Sequence, residues 1–117
     1  MFVRLTRLEA DPAKVQQLIL LYEKSIVPAA KEQAGFRGTY LLTDRSTGKH
    51  VAVTLWVSEE DALANESSGY YQEQVDKVAP YLSASPIREG YEVTVHDFDI
   101  PDTHAIPMSA PTEQPQA

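Results

Sequence analysis

Seven consecutive residues, Val51 to Val57 (VAVTLWV), constrain this chain more than any other stretch. Their β-branched and aromatic content reads as a strand. Alternate residues of a strand face opposite ways, so Val51, Val53, Leu55 and Val57 share one side and Ala52, Thr54 and Trp56 the other. A strand with one wet face alternates apolar with strongly polar residues. Neither side of this one carries a charge. The sheet that contains it therefore needs cover on both faces. A turn-forming stretch, DRSTGK, precedes it, and before that lies a strand centred on Tyr40, Leu41 and Leu42. Ser58 ends the run and caps a helix, with Asp61 three residues on as a capping-box partner.

Phe2 to Leu8 alternates loosely and reads as a first strand, with Arg4 and Arg7 on opposite faces, one of them directed inward. Asp11-Pro12 opens a helix, because aspartate accepts from orphan backbone N–H groups and proline suits the first helical position. Val15, Leu18, Ile19, Tyr22, Ile26 and Ala30 give it one apolar stripe. Pro28 removes a backbone donor and bends it, and Gly35 ends it in the C′ role. A second helical region from Glu59 to about Leu82 falls into two pieces around Asn65, Ser67, Ser68 and Gly69. Its later piece carries Tyr70, Tyr71, Val75, Val78 and Tyr81. Ile87 to Ile100 reads as the last strand, with Glu92, Thr94, His96 and Phe98 on one face.

The order β-α-β-β-α-β is the split βαβ arrangement of the ferredoxin-like α+β class, an antiparallel sheet with its helices on one face. The opposite face then needs cover from outside the chain. A second copy is the economical answer, since two-fold dimers are the commonest oligomers. The expected organisation is one domain over residues 1–100 and a tail over 101–117. That tail holds four of the eight prolines and little that packs.

The net charge of −7, from 17 acids and 10 bases, offers no clustered positive field for nucleic acid or an anionic membrane. With no cysteine there is no disulfide, thiolate nucleophile or sulfur-ligated metal. No apolar run reaches membrane-span length and the N-terminus lacks a signal-peptide layout, so a cytoplasmic address is expected. His50, His96 and His104, the three histidines, show no helical or strand ligand spacing, and no metal site is expected.

Gly35-Phe36-x-Gly38 after a proline-bent helix, Trp56 near the end of the third strand, and the acidic helix start Ser58 to Asp61 are similar to the antibiotic biosynthesis monooxygenase family. The likeness covers residues 1 to 100. It implies a dimeric α+β barrel, a homodimer packed through its sheets, with a pocket between helices and sheet in each subunit. Some members oxidise polycyclic aromatic compounds with oxygen and neither metal nor flavin, others degrade haem, and others process signalling molecules. The haem-degrading branch carries an asparagine in strand one, then a tryptophan and a histidine in helix two. Those places here hold Arg4 or Thr6, Asn65 and Val75, which disfavours that activity.

One function this leaves open is a cofactor-independent monooxygenase for a small phenolic or quinone-forming substrate, with His96 as the candidate catalytic base or donor. Tyr22, Tyr40 and Tyr71 are the candidate orienting hydroxyls, and Phe36 and Trp56 the candidate walls. The plainer alternative gives these aromatics to the core and the interface and leaves His96 a satisfied half-buried histidine. Arg4, Arg7 and Arg37 read either as carboxylate or enolate ligands or as solvated strand-edge charges. A non-catalytic small-molecule-binding homodimer is the competing function. A structural subunit whose tail clasps its partner is a third.

Overall fold

The computed structural model describes residues 1–98. Strands β1 (Phe2–Glu9), β2 (Phe36–Asp44), β3 (Lys49–Trp56) and β4 (Ile87–Glu92) form one sheet in the order β2-β3-β1-β4. Every neighbouring pair is antiparallel. The helices between the strands pack on one face, giving the ferredoxin-like α+β architecture that the element order implies.

The first helical arm starts where Asp11 accepts from the Ala13 amide (2.9 Å) and Pro12 occupies the first turn. It runs through α1 (Val15–Leu21), a π-helical stretch (Tyr22–Ile26) and α2 (Val27–Lys31). The expected bend at Pro28 takes the form of this π stretch. Proline has no amide to donate and its ring crowds the carbonyl four residues back. The chain widens one turn ahead of it, so the Val27 amide reaches the Tyr22 carbonyl five residues earlier. Tyr22, Ile26 and Ala30 stay on the buried stripe with Val15 and Leu18. The arm stops at Lys31, short of the expected glycine. Gly35 instead takes a left-handed φ of 81° in the turn that feeds β2, where its carbonyl accepts from Val57 (2.8 Å).

Ser58 caps α3 (Glu59–Ser67) by accepting from the Asp61 amide (3.1 Å). The expected break follows, with Ser68 accepting from Tyr70 N and Gly69 left-handed ahead of α4 (Tyr70–Val78). The final strand is shorter than expected. β4 pairs only with β1, whose first residue, Phe2, already faces Glu92. Val93 adds one bond to the Met1 carbonyl, and past it no partner remains. The rest of the stretch expected as strand, Thr94 to Phe98, is exposed and irregular. Its last two residues and the 101–117 tail lie outside the described residues.

The two sheet faces differ. The inner face carries Arg4, Thr6, Leu8, His50, Ala52 and Trp56, all buried under the helices. The outer face carries Val3, Leu5, Val51, Val53 and Leu55 with Tyr40, Leu42, Ile87 and Tyr91, the last four at least half exposed. The Arg7–Glu89 ion pair (3.2 Å) also lies on this otherwise apolar face. Among the described residues no helix is long and apolar enough to cross a membrane.

Candidate functional site

A cavity of about 60 Å³ lies between the inner sheet face and the helices. The sheet gives it Arg4, Thr6, Leu8, Thr39, Ala52, Thr54 and Trp56. The first helical arm gives Tyr22, Ile26, Val27 and Ala30, and α4 gives Tyr70, Tyr71, Gln74, Val75 and Val78. Every polar wall residue except Tyr70 and Gln74 has a side-chain hydrogen-bond partner among the described residues.

Arg4 is the only charged residue of the lining, and it is 4% exposed. Its Nη1 donates to Asn65 Oδ1 (2.9 Å), Glu66 Oε2 (3.2 Å) and, at longer range, the Ala62 carbonyl (3.4 Å), all on α3. Its guanidinium carbon lies 4.5 Å from the Tyr71 ring centre and 5.1 Å from that of Trp56. Guanidinium groups are attracted to such ring faces. All three bonds run through Nη1, so Nε and Nη2 have no partner among the described residues. Glu66 also pairs with Arg88 (3.6 Å), so two guanidinium groups share one carboxylate and the cluster keeps a positive excess. Burial lowers the pKa of Arg4, opposed by its bond to Glu66. Arginine starts so far above neutrality that the group stays charged.

The hydroxyls form directed chains. Thr39 Oγ1 donates to the Val53 carbonyl (2.9 Å), so its single proton is spent. The 2.6 Å contact with Tyr22 must therefore be donated by the Tyr22 phenol. Tyr71 and Thr6 share a 2.8 Å bond, and Trp56 Nε1 donates to Thr54 Oγ1 (2.9 Å). Burial pushes the Tyr22 phenol up, and pushes Tyr70 up to about 12 against the opposing pull of Arg4. These phenols stay protonated across the ordinary pH range.

Of the residues singled out from sequence, the structure brings Tyr22, Trp56 and Tyr71 together in the cavity wall. Phe36 stands behind the wall, edge-on to Trp56 with ring centres 5.6 Å apart and an interplanar angle of 74°. Tyr40 points from the outer face and is 59% exposed. His96 is exposed beyond β4, with Phe98 as its ring neighbour (6.0 Å), and is not among the lining residues. His50 is buried, its Nδ1–H donating to the Gly48 carbonyl (2.9 Å), and it too lies off the cavity. No cluster of three or more histidine or acidic side chains is placed to hold a metal among the described residues.

Arg4, Asn65, Tyr70 and Gln74 carry more of the site than the sequence reading assigned them. Alternation put Arg4 and Arg7 on opposite faces, and the pairing of Phe2 with Trp56, which the sequence does not show, puts Arg4 on the covered one.

Comparison with known proteins places this architecture. The uncharacterised protein Rv2558 of Mycobacterium tuberculosis is 28% identical over 103 residues, covering 88% of this chain. The chain spans about 40% of the length of the curated relatives it matches. Among solved structures, a monooxygenase from Streptomyces coelicolor in complex with nanaomycin D superposes with a TM-score of 0.70 at 18% identity, over 85% of this chain and 92% of that one. A mutant of MhuD with two manganese protoporphyrin IX bound per active site gives a TM-score of 0.68 at 20% identity, over 84% and 99%. Rv0793 from Mycobacterium tuberculosis gives 0.64 at 17%, over 81% and 96%. At these identities the structures speak for the fold. The sequence model of the antibiotic biosynthesis monooxygenases matches residues 1–77, and the chain belongs to that family.

Proposed function

We propose that the cavity is the active site of a cofactor-independent monooxygenase for a small phenolic substrate, and that the working unit is a homodimer joined through the outer sheet faces. The observation that carries the reading is Arg4, a buried guanidinium with unspent donors at an aromatic-walled cavity. A phenol is weakly acidic, and its ionised form places electron density on the ring carbons where oxygen can attack. A hydrogen bond from a charged donor contributes about 1.5–3 kcal/mol. That lowers the pKa of a phenol in contact with Arg4 by about one to two units, towards the phenolate.

The wall holds no carboxylate and no imidazole, so the substrate's proton leaves to solvent before the cavity closes. The aromatic rings flank the flat ligand and exclude water, and the Tyr22 and Tyr71 chains fix its orientation. The chemistry balances with oxygen alone. A phenol taking one oxygen atom as a new ring carbonyl and releasing water becomes a quinone, with the four electrons accepted by dioxygen. No separate reductant is consumed.

The cavity in this structure is much smaller than the several hundred Å³ of ordinary ligand sites. Substrate entry therefore displaces a wall, and α4 is the wall that starts at a helix break, after Gly69. The small volume also favours a second reading, a non-catalytic small-molecule-binding homodimer. Oxygen uptake measured against a panel of phenols separates the two. Uptake that disappears in Arg4→Gln supports the enzyme. Binding of phenols with no uptake at any concentration supports the binding protein.

A further inference from the structure

We infer that Gln74 is the residue by which the cavity selects its ligand, accepting a hydrogen bond from a second hydroxyl group on the aromatic ring. Gln74 is 8% exposed, and its Oε1 is buried with no hydrogen-bond partner among the described residues. Buried carbonyl oxygens are almost always satisfied, and leaving one unmet is among the larger penalties a polar group can impose. Here the residue that carries the orphan lines the cavity, one helical turn beyond Tyr70 on the same face of α4. The other buried atom in that state, His50 Nε2, does not line it.

Its position adds a second argument. Gln74 and Tyr70 line the inner cavity and also an outer groove bordered by Ala29 and Gln33 of the first helical arm and its following turn. The two side chains stand between solvent and the interior. A ligand entering between the helices passes the Gln74 amide before it reaches Arg4 on the sheet.

The two groups ask for different chemistry. Arg4 has only donors, so it takes an acceptor oxygen. The buried Oε1 of Gln74 only accepts, so it takes an O–H. The ligand class is an aromatic diol, with one hydroxyl recognised as an acceptor or anion and the other as a donor. This rests on the cavity being the phenol site proposed above.

Calorimetric titration under anaerobic conditions tests it, using hydroquinone and hydroquinone dimethyl ether against the wild-type chain and Gln74→Met. Methionine matches glutamine in length and carries no comparable acceptor. The wild type should bind the diol about tenfold more tightly than the diether, a difference of about 1.4 kcal/mol. Gln74→Met should lose that preference by weakening the diol alone. Without ligand the variant should melt no lower than the wild type, because an unmet acceptor has been removed. A variant that melts lower or does not fold shows that Oε1 serves the fold, and overturns the proposal. Diol binding that is equal in the two proteins overturns the role of Gln74 and leaves the phenol site standing. If neither compound binds the wild type, the phenol site fails and the inference fails with it.

Discussion

Replacing Arg4 by methionine keeps the length of the side chain and removes its charge. In the structure this takes a donor from Asn65 and Glu66 on α3 and a cation from the Tyr71 and Trp56 ring faces. Removing one partner of a buried ion pair costs about 3–5 kcal/mol, because the other charge is left uncompensated. Glu66 retains Arg88 at 3.6 Å, and Arg88 is half exposed, so the low end applies. The expected loss is about 3 kcal/mol, which for a chain of this length lowers Tm by about 12 °C. Arg4→Lys keeps the charge but loses the planar fork and the stacking, and is expected to lose about 1–2 kcal/mol. Adding Asn65→Leu to Arg4→Met should recover about 1 kcal/mol, since it removes the amide orphaned by the first change. Urea denaturation at one fixed protein concentration measures all three. A loss below about 1 kcal/mol for Arg4→Met would refute the reasoning, for it would mean that α3 does not hold the guanidinium.

Two glycines with left-handed backbones should respond differently to alanine. Gly69 (φ 92°) has open space where a Cβ would sit and should lose only the conformational term of about 1–2 kcal/mol, whereas at Gly35 (φ 81°) the Cβ would run into the Asp61 carboxylate and the loss by denaturation should be larger. Tyr70 makes stability fall in alkali. Its folded pKa is raised to about 12, so its contribution is complete below the unfolded value near 10 and lost as pH rises through about 12. Tyr70→Phe should flatten the fall of Tm over that window. Leu42, 51% exposed on the outer sheet face, lies in the proposed interface. Sedimentation should give a dimer of 13.0 kDa chains for the wild type and a monomer for Leu42→Glu.

The strand VAVTLWV carried most of the fold in the sequence. Its inner side chains Ala52 and Trp56 are buried by helices, and its outer ones, Val51, Val53 and Leu55, stay partly open in the single chain. Caps at Asp11 and Ser58 were legible because their partners lie two or three residues away. The end of β4 was not, since the alternation of Val93 to Phe98 continues past the point where β1 runs out of residues to pair. The place of His96 in the site depended on that missing length of strand.

Aromatic identity pointed to Tyr22, Trp56 and Tyr71, yet the same signal gave Tyr40, because strand parity does not say which face the helices cover. Arg4 is subject to the same ambiguity. Asn65 read as part of the break between two helical pieces and Gln74 carried no signal of its own; what brings them to the site is packing against β1 and the first helical arm, distant in the chain.

In the proposed function Arg4 makes this cavity a site for an ionised aromatic oxygen. The direct test is the ionisation of para-nitrophenol, followed by its absorbance as pH is raised in the presence of saturating protein. An opposite charge in contact lowers a phenol's pKa, while burial alone raises it, as it does for Tyr22 and Tyr70. Bound nitrophenol should ionise at a lower pH than free nitrophenol, and Arg4→Gln should abolish the difference. Ionisation of the bound compound at the same or a higher pH would contradict it.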